Sequence, residues 1–109
     1  MSIVLRYTES AADDLENLKS YLSDAVNDNF AITKIREIMN QLSNQQVFPQ
    51  SSPLLEDLYG IDFEFPFRKL VVSPYVVIYH LDHEILYVDR IFHEKQDFIR
   101  TLESEGFEF

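Results

Sequence analysis

The sequence predicts an α+β fold, a sheet with helices packed on one of its faces, and three observations point there. Two stretches in the first half repeat apolar residues at helical spacing. Three runs in the second half alternate at a period of two, and a short alternating run at the N-terminus precedes them all.

Residues 2–7 place Ile3, Leu5 and Tyr7 on one face of a strand, and polar residues 8–10 stop it. Ser10, with Asp13 three residues on, reads as an approximate capping box. Ala11, Leu15, Leu18 and Leu22 then repeat at four, three and four, predicting a helix over about 9–23. Asn27, Asp28 and Asn29 interrupt it and offer N-caps for a second helix over about 29–44. Its stripe is Ala31, Ile35, Ile38 and Leu42, widened by Ile32 and Met39. The two should pair as an antiparallel hairpin. Residues 45–66 hold Pro49, Pro53, Pro66 and Gly60 and read as loop, with room for one helical turn over about 54–58. From Phe67 the alternation predicts strands over 68–73, 75–81 and 84–92, turning at Ser73 with Pro74 and at Asp82 with His83, an antiparallel three-strand meander. Phe98, Ile99 and Leu102 predict a short C-terminal helix over 94–103. The helices should cover the more aliphatic face of the sheet. The other face is then partly wet, where Arg68, Arg90 and the tyrosines can act together.

Composition narrows the chemistry. A chain of 109 residues is expected to form one domain, 1–109, around a single core. It contains no cysteine, so disulfides and thiolate chemistry are absent, and no cofactor motif is visible. The N-terminal apolar stretch is broken by Arg6 and is too short for a signal peptide, and no window reaches membrane-spanning length. The expected compartment is the cytoplasm, with no membrane partner. Nineteen acids against nine bases give a net charge of −10, which opposes non-specific attraction to nucleic acid or anionic membranes. No Lys or Arg lies between Glu37 and Phe67, while Arg68, Lys69, Arg90, Lys95 and Arg100 follow.

The candidate site residues are those scarce cations. Arg68, Arg90 and His93 fall at strand ends or edges, where they fit either a reactive cluster or a structural role. In the structural role the arginines pair with carboxylates such as Asp89 or Glu64, and His93 caps the following turn or packs. Tyr75, Tyr79 and Tyr87 alternate along strands and suit cross-strand packing. His80, Asp82 and His83 straddle a turn without a third well-spaced ligand, so no metal site is expected. Phe63, Phe65 and Phe67, spaced by two and interrupted by Glu64 and Pro66, suggest an extended edge that binds a partner chain by strand addition or side-chain docking.

The order of these elements carries a resemblance. An entry Tyr-Thr-Glu-Ser-Ala-Ala-Asp-Asp-Leu, a central Phe-Arg-Lys-Leu-Val-Val followed by Tyr-Val-Val-Ile-Tyr, and a closing Val-Asp-Arg-Ile-Phe-His-Glu-Lys-Gln-Asp-Phe run from about Val4 to Leu102. Together they resemble the RelE/ParE superfamily of bacterial toxins from type II toxin–antitoxin modules. The resemblance implies a toxin that inhibits growth and forms a hetero-oligomer with a cognate antitoxin whose disordered half folds onto it. The RelE-like branch consists of ribosome-dependent messenger RNA endoribonucleases, in which Arg68 and Arg90 would hold the scissile phosphate and His93 or a tyrosine would act as acid or base. The ParE-like branch lacks that set and acts on DNA gyrase. The segment before Arg68 carries Glu56, Asp57, Asp62 and Glu64 where the ribonucleases carry lysines, and the closing arginine, histidine and aspartate resemble the ParE-like branch, so that reading stands first. The ribonuclease, with the ribosome and mRNA as partners, and a non-toxic member that only binds its antitoxin are the alternatives. With a toxin at −10, the antitoxin's wrapping segment is expected not to be strongly acidic.

Overall fold

The computed structural model describes residues 2–105. The elements are β1 (Val4–Tyr7), α1 (Glu9–Ala25), α2 (Asp28–Gln45), α3 (Leu55–Tyr59), β2 (Arg68–Val72), β3 (Tyr75–Asp82), β4 (Ile85–His93) and α4 (Phe98–Ser104). The α+β order of strand, helix pair, meander and short terminal helix is the predicted one.

Local chemistry explains the boundaries. The cap of α1 is Thr8, not Ser10: its hydroxyl accepts from the Ala11 N–H at 3.1 Å, so Ser10 lies inside the first turn. Asn27 caps α2, its side-chain oxygen accepting from the Phe30 N–H at 2.8 Å. Gly60 ends α3 at φ 66°, a left-handed conformation that glycine adopts without a Cβ penalty. The last helix starts at Phe98, later than the spacing predicts, because residues 94–97 are held as a turn against the strand ends. There the Glu94 N–H donates to the Pro74 carbonyl at 2.8 Å, and Asp97 caps the helix through the Arg100 N–H at 3.2 Å.

The sheet order is β1-β4-β3-β2. β2, β3 and β4 form the antiparallel meander, and β1 adds parallel to β4 from Val4↔Ile85 to Tyr7↔Val88. The β3–β4 connection is His83 and Glu84, one residue later than predicted, with His83 at φ 56°. A bulge interrupts β3–β4: Ile78 pairs with Arg90 and Tyr79 with Val88, leaving Asp89 as the extra residue.

Both faces of the sheet are covered, which corrects the expectation of a wet face. On one, Ala11, Ile38 and Leu42 of the helix hairpin pack over Val72, Tyr75, Val77, Tyr79, Leu86, Val88 and Ile91. On the other, α3, the phenylalanine-bearing segment and α4 pack Leu55, Phe67, Phe98 and Leu102 over Val76, Ile78 and Phe92. Burying aromatic rings from a loop removes the apolar surface that an open second face would leave in water. No helix among the described residues is long and apolar enough to cross a membrane.

Candidate functional site

Arg68 and Arg90 lie on opposite faces of the sheet. Directly opposed residues of neighbouring strands share a face; Arg68 is opposite Tyr79, which packs under the helices, whereas Arg90 is opposite Ile78, in the second cluster. The sequence placed the two on one wet face; the register separates them.

Arg90 leaves β4 just beyond the end of β1, and its side chain joins the layers around that strand edge. Its Nε and Nη2 donate to Asp14 Oδ2 and Oδ1 of α1 at 2.7 and 3.1 Å, and its Nη1 donates to Glu105 beyond α4. The same Asp14 carboxylate accepts from the Ile91 N–H at 2.9 Å, closing the strand edge that β1 leaves uncovered. These carboxylates hold the guanidinium protonated, raising its pKa against the opposing effect of burial. The guanidinium also lies 4.8 Å from the centroid of the Phe92 ring. The partners are Asp14 and Glu105, not the Asp89 or Glu64 considered from sequence.

Arg68, by contrast, pairs with no carboxylate among the described residues. Its Nη1 donates to the carbonyls of Gln50 and Ser52 at 3.0 and 2.7 Å, fastening the loop after α2. The same loop is tied from below by Tyr79, whose buried hydroxyl donates to the Pro49 carbonyl at 2.7 Å, and by the Gln45 side chain, whose Nε2 lies 2.9 Å from both the Ser52 and Tyr79 hydroxyl oxygens. Lys69 faces the other way, its Nζ donating to the Tyr59 hydroxyl at 2.9 Å and lying over the Tyr59 and Phe98 rings.

His93 shares a cleft with Arg90. The cleft, about 490 Å³, lies between α1 and the end of β4 and includes Asn17, Tyr21, Tyr75 and Gln96 in its lining. His93 Nδ1 accepts from the Lys95 N–H at 3.1 Å, and its ring meets Tyr75 edge-on with centroids 5.8 Å apart, a turn-capping and packing arrangement. Tyr75 has its pKa raised, chiefly by burial, with Lys34 opposing and Tyr21 adding to the shift. So the structure brings Arg90 and His93 to one cleft and leaves Arg68 outside it.

A buried pair stands apart from all three. His80 Nδ1 and Asp89 Oδ2 are 2.7 Å apart, with the side chains 3% and 0% exposed, and the His80 ring stacks on Tyr87 and contacts Phe65 and Phe67. The bulge makes this possible, because it lets Asp89 and Arg90 both leave β4 on the second face. Burial lifts the Asp89 carboxyl to about 6, and the hydrogen bond and charge of His80 oppose that shift. His83, in the turn, has a side chain 95% exposed, so the two histidines do not meet. Among the described residues, no three His, Asp or Glu side chains are placed to hold a metal ion.

The phenylalanine segment is not a free edge. Phe67 is buried and meets Phe63 and Phe65 at centroid distances of 5.7 and 5.9 Å, while Phe63 and Phe65 are half-buried at the margin of the second cluster. Glu56, Asp57, Asp62 and Glu64 around it are exposed. Asp14 and Gln45 were missed from sequence, although a signal existed. Each lies three residues after a stripe position, Ala11 and Leu42, so each is a polar group on the buried side of its helix.

With that geometry in hand, comparison with known proteins places the chain. Its fold matches the chromosomal ParDE toxin–antitoxin system from P. aeruginosa with a TM-score of 0.69 at 18% identity, covering 84% of this chain and 96% of that one. YafQ from E. coli strain BL21(DE3) matches at a TM-score of 0.47 and 18% identity, over 84% and 93% of the two chains. No curated protein sequence matches significantly. The family model for the ParE toxin of the type II toxin–antitoxin system parDE matches residues 5–98, and the chain belongs to that toxin family.

Proposed function

We propose that the protein is a growth-inhibiting toxin that acts on DNA gyrase through a protein contact, in the cytoplasm, as one domain, and that a cognate antitoxin neutralises it in a hetero-oligomer. The observation that carries this reading is the dispersal of the cations. Cleaving RNA requires positive groups that converge on a phosphate as its charge builds. Arg68 is committed to loop carbonyls on one face and Arg90 to two carboxylates at the strand edge, while His93 is engaged by a turn amide. The exposed carboxylates between α3 and β2 add repulsion toward a nucleic-acid backbone. Arg68, Arg90 and His93 are thus scaffold in this reading, and the half-buried Phe63 and Phe65, with Phe67 beneath them, offer an apolar margin to the antitoxin. An antitoxin segment that is not strongly acidic fits a toxin at −10. The test is a supercoiling assay with purified gyrase and protein, alongside induction without antitoxin. Blocked supercoiling and filamentation are expected; untouched supercoiling at high excess, or prompt translation arrest with cuts in the ribosomal A site, defeats the reading.

A further inference from the structure

The loop after α2 holds two apolar side chains out in water. Val47 and Phe48 are 69% and 73% exposed, the highest values among the large hydrophobic residues described. In a slack loop that would mean little, but this one is fastened at several points. Tyr79 holds the Pro49 carbonyl, Arg68 holds those of Gln50 and Ser52, and Gln45 binds the Ser51 and Ser52 hydroxyls. The Gln46 side chain donates to the Ile3 carbonyl at 2.7 Å, and the Val47 and Ser51 amides close turns on Asn44 and Phe48. Core side chains thus grip the backbone from within and leave Phe48 projecting beside an open hollow of about 420 Å³ lined by residues 47–51.

Charge narrows what this loop can meet. Residues 38–55 contain no Asp, Glu, Lys, Arg or His, in a chain of which 26% is charged. Arg68, the cation that meets this loop, is turned to its Gln50 and Ser52 carbonyls, and the projecting side chains carry no charge of their own to hold phosphates or anionic lipid. A charge-depleted patch around a rigid aromatic is the make-up of a protein interface core, and pre-ordering lowers the entropic cost of docking. The projection indicates which kind of protein. A disordered segment that folds on binding supplies side chains to grooves on its folded host, whereas a projecting ring needs a preformed pocket on a folded partner. We infer that this loop inserts Phe48, flanked by Val47 and Pro49, into an uncharged apolar pocket of the folded protein that the toxin inhibits. This rests on the toxin reading.

The test uses Phe48→Ser and the double variant Val47→Ser with Phe48→Ser, with Phe48→Leu as the conservative control. Both serine variants should fold and melt like the parent, because the side chains they change are exposed. Growth arrest and supercoiling inhibition should weaken roughly tenfold or more, with Phe48→Leu keeping most of the potency and antitoxin affinity unchanged. A double variant as potent as the parent overturns the proposal. So does a parallel loss of antitoxin affinity, which makes the loop an antitoxin site, or a parent dimer that the variant dissolves in gel filtration, which makes a second copy the occupant. If the parent neither arrests growth nor inhibits supercoiling, the toxin reading falls and takes this inference with it; a potent parent with a potent variant removes the loop alone.

Discussion

Replacing Asp14 by alanine tests whether the Arg90 junction holds the layers together. Asp14 accepts three hydrogen bonds, two from the Arg90 guanidinium and one from the Ile91 amide. The Arg90 and Asp14 side chains are only 17% and 15% exposed, so the pair lies between a surface ion pair, worth about 0–1 kcal/mol, and a fully buried one, whose breakage costs about 3–5 kcal/mol. Asp14→Ala leaves Arg90 with Glu105 alone and frees the Ile91 amide at a strand edge, for an expected loss of about 2–3 kcal/mol. A chain of this length has an unfolding entropy of roughly 0.23 kcal/mol/K, so the midpoint should fall by about 9–13 °C. Glu105→Ala, at a carboxylate 36% exposed, should cost less than about 1 kcal/mol. Urea and thermal melts of both variants, followed by circular dichroism, give the comparison. If Asp14→Ala stays within about 0.5 kcal/mol of the parent, or Glu105→Ala proves the costlier change, the assignment of Asp14 as the principal partner is wrong.

Three further outcomes follow from particular contacts. Asp89 has a folded pKa near 6, above its unfolded value, so its acid form is favoured by folding, and that contribution is complete below about pH 4 and lost as pH rises through 6. The parent should therefore gain on the order of 2 kcal/mol over Asp89→Asn between pH 7 and pH 4, read from paired urea titrations; a pH-independent gap removes the buried carboxyl as its source. Tyr79→Phe leaves the Pro49 carbonyl short of a partner, while the Gln45 amide keeps the Ser51 and Ser52 hydroxyls, and should cost about 1–3 kcal/mol, with faster amide exchange in residues 46–53. Arg68→Ala should cost about 1–2 kcal/mol and open the same loop to limited proteolysis, and because no carboxylate is lost the effect should change little with salt.

Much of the fold was legible because hydrophobic periodicity is a local signal. The stripes through Ala11, Leu15, Leu18 and Leu22 and through Ala31, Ile38 and Leu42 lie in α1 and α2, and the three alternating runs became the meander. Helix starts were less secure, since Thr8 and Ser10 are both competent caps and only backbone geometry chooses between them. The parallel pairing of β1 with β4 was not visible, because alternation says which residues share a face but not which strand lies alongside. The candidate site suffered most. Arg68 opens β2, His93 closes β4 and Arg90 lies on the edge of β4 beyond β1, the strand ends and edges expected, yet one bulge at Asp89 and the register of β2 decide which face each side chain leaves from.

The sequence by itself determined the fold class, the element order and the family: the two helical stripes, the meander, the acidic composition and motifs over nearly the whole chain are carried by residues close together in the chain. Only the tertiary structure decided what the scarce cations do. Arg90 meets an aspartate from the first helix and a glutamate past the last, and Arg68 meets carbonyls of a distant loop. Such pairings depend on how layers stack around a strand edge, a long-range geometry that no local spacing encodes.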